Sequence, residues 1–199
     1  MELYYAPTSP FARKVRIAAH ELGLTGRLVL RRVDPWTDAG LRALNPLAKV
    51  PTLVTDEGGV LYESAVICDW LDSLGPIRRL IPAEGAARWR ALLLQGLADG
   101  ACTAAGRLFA DERRPAGQQV PAMIARFHEA RDAALDRLEI TGLADEAWTI
   151  GEIAVAALLG YLDFRWPERD WRAHRPSLAA WWLAMRGRPS LIETAHSVA

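Results

Sequence analysis

The stretch Asn45-Pro46-Leu47-Ala48-Lys49-Val50-Pro51-Thr52-Leu53 constrains this chain more than any other. Its second proline opens an apolar strand. A proline cannot donate a ladder hydrogen bond, so Pro51 belongs at a strand's first residue or edge. Val50, just ahead of it, is driven into an extended conformation, which holds its N–H and C=O out sideways, free to pair with another peptide. A strand and a turn later comes Glu63-Ser64, where a strand gives way to a helix. Backbone N–H groups and a capping hydroxyl gather at such a start and hold a carboxylate. A peptide-pairing edge beside an anion-holding helix start predicts a site for a small anionic peptide.

The surrounding pattern supplies a scaffold. Leu3-Tyr4-Tyr5 reads as a short strand, broken by Ala6-Pro7-Thr8-Ser9-Pro10. Phe11, Val15, Ala18, Ala19 and Leu22 then recur at helical spacing, and Gly23 is a C′ stop. Residues 27–33 read as a second strand, with Leu28 and Leu30 alternating and β-branched Val29 and Val33 among them. A helix between two strands predicts a βαβ unit with a parallel pair. Residues 34–48 form a long polar connection with one helical turn near Leu41 and Leu44. The runs 52–55 and 60–62 flank Asp56-Glu57-Gly58-Gly59, a hairpin turn, and Ser64 is expected to cap the next helix. The first 75 residues are therefore an α/β domain of order βαβ-ββα.

Between residues 74 and 84 the pattern breaks at Gly75-Pro76 and Ile81-Pro82, which places a linker there. Residues 85–199 read as an all-α helical bundle. Helices are expected over 86–107 and 118–140, from the capping-box sequence Thr149-Ile150-Gly151-Glu152 into 153–162, over 176–186, and briefly from Pro189. Lys and Arg total 24 and balance 24 Asp and Glu, so charge directs the chain to neither nucleic acid nor an anionic membrane. No apolar run is long enough to span a bilayer, and Met1-Glu2-Leu3-Tyr4-Tyr5 shows no signal peptide, so the expected location is cytoplasmic. Cys68 and Cys102 sit in helical apolar patterns and read as buried inert thiols. The histidines, His20, His128, His174 and His196, have no metal spacing and read as surface or packing residues; no metal is expected.

Chemistry enters at the turn Thr8-Ser9-Pro10-Phe11. Pro10 suits the first helical position, which makes Ser9 an N-cap. One reading stops there. In the other, the Ser9 hydroxyl faces a bound thiol. A thiol titrates near 8.5, and a hydroxyl donor at the positive end of a helix favours the reactive thiolate. One pKa unit requires about 1.4 kcal/mol, within reach of one hydrogen bond to a charged group. Tyr5 and Thr8 offer rival hydroxyls. Val50-Pro51 likewise reads either as a proline-stiffened edge or as a cis bond that turns the Val50 amide toward a ligand.

Taken together, Thr8-Ser9-Pro10-Phe11, residues 45–53 and Glu63-Ser64-Ala65-Val66-Ile67 resemble the glutathione S-transferase superfamily, in its cytosolic, bacterial-like type with serine in the active-site turn. The resemblance covers nearly the whole chain. The capping box at Thr149 matches too, although Glu152 stands where the family usually carries Asp. The resemblance implies a thioredoxin-like N-terminal domain that binds glutathione as co-substrate, an all-helical C-terminal domain and a homodimer. Carried onto this sequence, Ser9 contacts the glutathione sulfur and Val50 pairs with the cysteinyl unit, with Pro51 cis. Glu63 and Ser64 hold the γ-glutamyl end, and Lys49 approaches the glycyl carboxylate. Phe11 flanks the same site, and Asp99 reads either as an exposed helix carboxylate or as a group reaching the partner's glutathione. The second substrate is expected against Phe11 and, in the helical half, Leu108, Phe109, Arg113, Tyr161, Phe164, Arg165 and Trp166, with the aromatic run from Tyr161 to Trp166 reading alternatively as core packing. No cysteine occupies the active-site turn, which disfavours mixed-disulfide chemistry. The resemblance therefore implies a transferase in which the bound thiolate attacks a small electrophile. Glutathione-dependent peroxide reduction, or a non-catalytic binding or interaction module on the same fold, are the alternatives.

Overall fold

A computed structural model describes residues 1–77, 79–143 and 148–198; Arg78, inside the expected linker, lies outside the described residues. Strands β1 (Glu2–Tyr5), β2 (Val29–Arg32), β3 (Thr52–Val54) and β4 (Val60–Tyr62) form one mixed sheet in the order β2-β1-β3-β4. β1 and β2 are parallel, connected through helix α1 (Pro10–Glu21); β3 runs antiparallel to both β1 and β4. Helix α3 (Ser64–Ser73) completes the ββα half, so the thioredoxin-like order read from sequence is present. Strand register aligns the loops. Tyr4, Thr52 and Tyr62 stand side by side across three strands. The exit of β1, the entry of β3 and the exit of β4 therefore share one end of the sheet, with neighbouring strands roughly 4.8 Å apart.

Local chemistry sets the boundaries. Gly23 (φ 72) ends α1: its N–H reaches His20 O at 2.9 Å and that of Leu24 reaches Ala19 O at 2.8 Å, a Schellman motif. β2 is shorter than 27–33 because a 3₁₀ turn, Thr25–Arg27, takes its first residue. It forms an exposed edge instead of alternating, with Val29 and Leu30 both open to solvent. The helical turn expected near Leu41 is α2 (Ala39–Leu44), capped by Asp38, which accepts the Leu41 N–H at 2.6 Å.

The helical part comprises α4 (Gly85–Glu112), α5 (Pro121–Thr141), α6 (Ile150–Arg165), α7 (Pro176–Met185) and α8 (Pro189–Glu193). α5 starts later than 118 because a 3₁₀ turn, Ala116–Gln118, precedes it and Pro121 takes the first helical position. α6 runs past 162, so Tyr161, Phe164 and Arg165 lie on its last turns rather than in a segment after it. Its first thirteen residues are all buried, as an all-round apolar helix requires. α4 and α6 lie parallel and close: a Cβ at Gly151 would sit 2.8 Å from Ala91 O and from Leu94 Cβ. The capping box is formed, with Glu152 fully buried, accepting from the Thr149 N–H at 3.0 Å and pairing with Arg90 at 2.7 Å.

Two devices join the sheet and helical parts. Asp72, fully buried at the end of α3, accepts the N–H groups of Arg79, Leu80 and Ile81 at 2.9, 3.0 and 2.9 Å and so ties down the connecting segment. α1 packs against α3 on one side and α6 and α8 on the other. Its Arg13 donates to Leu191 O at 3.0 Å, and its Glu21 pairs with Arg188 at 2.9 Å. Gly160 leaves the slot for Arg13, since a Cβ there would meet Arg13 Nη1 at 2.0 Å. Cys68 and Cys102 are free and buried, and burial pushes both thiols up, Cys68 to about 12. Among the described residues no helix is long and apolar enough to cross a membrane.

Candidate functional site

The shared end of the sheet brings together the segments singled out in sequence. The 45–52 loop is built around Asn45, which is buried. Its amide donates to Lys49 O at 3.1 Å and Thr52 Oγ1 at 3.0 Å, and its carbonyl oxygen accepts from the Leu47 N–H at 3.0 Å. Thr52 Oγ1 in turn donates to Lys49 O at 2.9 Å. The loop ends in a cis Val50–Pro51 peptide. Pro51 is buried, Val50 half-buried, and neither the N–H nor the C=O of Val50 has a partner among the described residues. Lys49 is exposed, with no ion pair among the described residues.

Beside it, Glu63 carries β4 into α3 with φ 70, a backbone conformation rare for a residue with a side chain. Ala48 (φ 49) is the other such residue among those described, and both flank this end of the sheet. Unfavourable backbone of this kind concentrates at ligand sites. The expectation that Ser64 caps the helix is corrected: Ser64 is the first helical residue, Glu63 holds the cap position, and no side chain caps it. The reason is the turn at Glu63, which lets its carbonyl accept the first helical N–H, from Ile67 at 3.0 Å. The N–H groups of Ser64, Ala65 and Val66 are left without a partner among the described residues, at the positive end of the helix. An acceptor of the size of a carboxylate fits there.

Across the sheet, Ser9 is the N-cap of α1: its Oγ accepts the Ala12 N–H at 3.2 Å, and its own N–H donates to Ala6 O at 3.0 Å. The hydroxyl proton stays available to an outside acceptor. Tyr5 lies under the Arg16 guanidinium, 5.1 Å from the ring centroid, and packs on the core; Thr8 is half-buried. Phe11 is half-buried against the core at the start of α1.

Three residues of this region escaped the sequence reading. Lys14, 1% exposed, reaches from α1 to Asp99 of α4 at 2.5 Å. Asp99 is thus paired and mostly covered, which corrects its reading as an exposed helix carboxylate, and α1–α4 packing is the cause. Burial raises its pKa, Lys14 opposes the rise, and Glu63, close by on the same chain, adds to it. His196, read as surface or packing, lies against the turn ahead of α1: its Nδ1 is 3.1 Å from Pro7 O, and its ring stacks on Phe164 at 5.2 Å. Burial, then Arg13, hold it neutral with a pKa of about 3. Arg13 is buried, with Nε lacking a partner. Helical periodicity could mark Lys14 as an inward charge; nothing local marked His196.

Of the residues expected to face a second substrate, the structure groups some and withdraws others. Phe109 is half-buried between two guanidiniums, Arg113 at 3.5 Å and Arg165 at 3.9 Å from its ring centroid. Tyr161 is 4% exposed and lies beside Arg165 and His196. Leu108 is fully buried in the core, and Trp166 is buried, packed edge-on to Phe109 and donating Nε1–H to Glu112 at 2.9 Å. Those two are packing residues, because α6 lies flush on α4. No group of metal-ligating side chains occurs among the described residues.

Comparison with known proteins agrees with this geometry. A family model for the glutathione S-transferase N-terminal domain matches residues 8–74. The uncharacterized GST-like protein YibF of Escherichia coli K12 is 32% identical over 182 residues, 89% of this chain and 90% of that one. A glutathione transferase family member of Pseudomonas fluorescens Pf-5, solved with bound glutathione, superposes with TM-score 0.94 at 38% identity over 99% of each chain. Its structure with S-(propanoic acid)-glutathione gives TM-score 0.90 at 37% identity over 100% of each. With sheet, helical half, cis Val50–Pro51 and open α3 N-terminus all in place, the chain belongs to the glutathione S-transferase superfamily.

Proposed function

We propose that this protein is a cytoplasmic glutathione transferase: residues 1–75 bind glutathione and residues 85–199 wall a site for a small electrophile. The observation that carries the reading is the single end of the sheet where Val50, free on both backbone groups, stands beside the unpartnered N-terminus of α3 and near Ser9. Val50 pairs through its backbone with the cysteinyl unit. Ser64 and the following N–H groups hold the γ-glutamyl carboxylate, while Glu63 faces its ammonium group. Asp99 of α4, beside Lys14, is the carboxylate we propose for the partner's glutathione. Lys49 meets the glycyl carboxylate. Ser9 keeps the Ala12 N–H on its lone pair and donates its own proton to the sulfur, which favours thiolate. Glutathione supplies the nucleophile, and the protein's gain comes from positioning and ionising it.

A homodimer fits the surface. Trp89 and Leu93, one turn apart on α4, are 64% and 72% exposed, and Val66 on α3 is 52% exposed. The test of function is retention on immobilised glutathione, followed by ultraviolet thiolate absorbance of the complex at neutral pH. Retention with a thiolate signal is expected. Failure to be retained sinks the reading; retention without thiolate turns it into binding alone.

A further inference from the structure

The arginines of this chain divide into two kinds. Arg90, Arg169, Arg172, Arg175 and Arg188 each hold a carboxylate, of Glu152, Glu112, Asp163, Asp136 and Glu21. Arg113 and Arg165, like several exposed arginines such as Arg107 and Arg126, hold none among the described residues. They sit together at the C-terminal ends of the parallel helices α4 and α6, stacked on Phe109. Stacking on a ring occupies the face of a guanidinium and leaves its N–H edge open, the edge that fits a carboxylate as a fork. Arg113 gives one N–H to Phe109 O at 3.3 Å and is otherwise exposed. Arg165 is half-buried, lies 5.3 Å from the Tyr161 ring centroid, and its Nε is buried without a partner. The cluster adjoins the active-site turn: Arg165 lies 4.8 Å from the Phe164 ring, which stacks on His196, which contacts Pro7 O.

Stabilising the helix ends and packing on Phe109 account for one guanidinium. They do not account for two like charges on one ring, neither of them ion-paired among the described residues. The geometry points to an electrophile that carries a carboxylate, received by the N–H edges of Arg165 and Arg113 beside the Tyr161 hydroxyl, with its unsaturated or aromatic carbon turned toward Ser9. This rests on the transferase reading of the site. For a chloroarene acid, a sulfur–carbon bond forms as the carbon–chlorine bond breaks; chloride leaves with the electron pair, and the thiol proton passes to solvent.

The test uses two glutathione conjugates differing at one group: S-(4-carboxy-2-nitrophenyl)glutathione and its carboxamide, titrated into the full chain by calorimetry. The carboxylate conjugate should bind about tenfold or more tighter, as one charge-assisted hydrogen bond provides. Arg165→Gln and Arg113→Gln should each erase most of that preference, with a much smaller change for the carboxamide. Equal affinities in the unaltered protein overturn the proposal while leaving glutathione binding intact. So does a preference that survives both substitutions. Binding of neither conjugate, nor of glutathione itself, overturns the transferase reading and this inference with it.

Discussion

The two sides of the proposed site are made of different material. On the sheet side the groups proposed to face glutathione are mostly backbone: Val50 N–H and C=O and the first N–H groups of α3, aligned by the Tyr4–Thr52–Tyr62 register. On the helical side they are side chains: Phe109, Arg113, Arg165 and Tyr161, placed by the close approach of α4 and α6. A backbone site is the same for any sequence that folds this way, and it recognises a constant ligand. A side-chain site changes with each substitution and suits a partner that differs between relatives.

The largest effect should come where the two walls meet. Asp99→Ala leaves Lys14 buried without its partner and should cost about 3–5 kcal/mol in urea unfolding, with Lys14→Met plus Asp99→Leu recovering most of it. A loss below about 1 kcal/mol would show that the pair is not structural. Next, Ser9→Ala should lower kcat/KM by about tenfold or more, the loss of one hydrogen bond of roughly 1.5–3 kcal/mol to a charged sulfur, without loss of folding. Unchanged activity would pass the role to Thr8 or Tyr5.

The tail that crosses from the helical half to the turn has a pH signature. His196 is held near pKa 3, below its ordinary 6.5, so its contribution to stability is complete above about pH 6.5 and is lost as pH falls toward 3. At about pH 5 the native chain should have lost about 2 kcal/mol that His196→Gln does not lose, measured as the difference between unfolding free energies at about pH 7 and about pH 5. Parallel pH profiles would refute a buried neutral imidazole. The smallest effect belongs to Lys49→Ala. An exposed charge should shift the KM for glutathione by only a few-fold, corresponding to roughly 0.2–1 kcal/mol, and a hundredfold change would mean that the sheet wall depends on side chains after all.

The same contrast explains what could be read in advance. The sheet wall was legible because its determinants are local: Pro51 after Val50, Pro10 after Ser9, and the Asp56–Gly59 turn before Glu63. Ser64 was misplaced by one position because the left-handed turn at Glu63 leaves no mark in residue type. Lys14 was missed because its partner is 85 residues away, and His196 because it reaches Pro7 from 189 residues along the chain. Trp166 and Leu108 were assigned to the cleft because an aromatic or aliphatic residue on a helix gives no sign of which face a parallel neighbour will cover.

Helix α1 has a consequence for recombining this protein with its relatives. The natural seam for a chimera is the connecting segment between residues 74 and 84, yet α1 lies before it and is keyed to what comes after. Arg13 needs the Gly160 notch and Leu191 O, and Glu21 needs Arg188. A graft made at that seam would inherit a lock from one parent and a key from the other. Exchanging the inward face of α1 along with the helical half would let the electrophile wall be swapped without shifting the serine at the head of that helix.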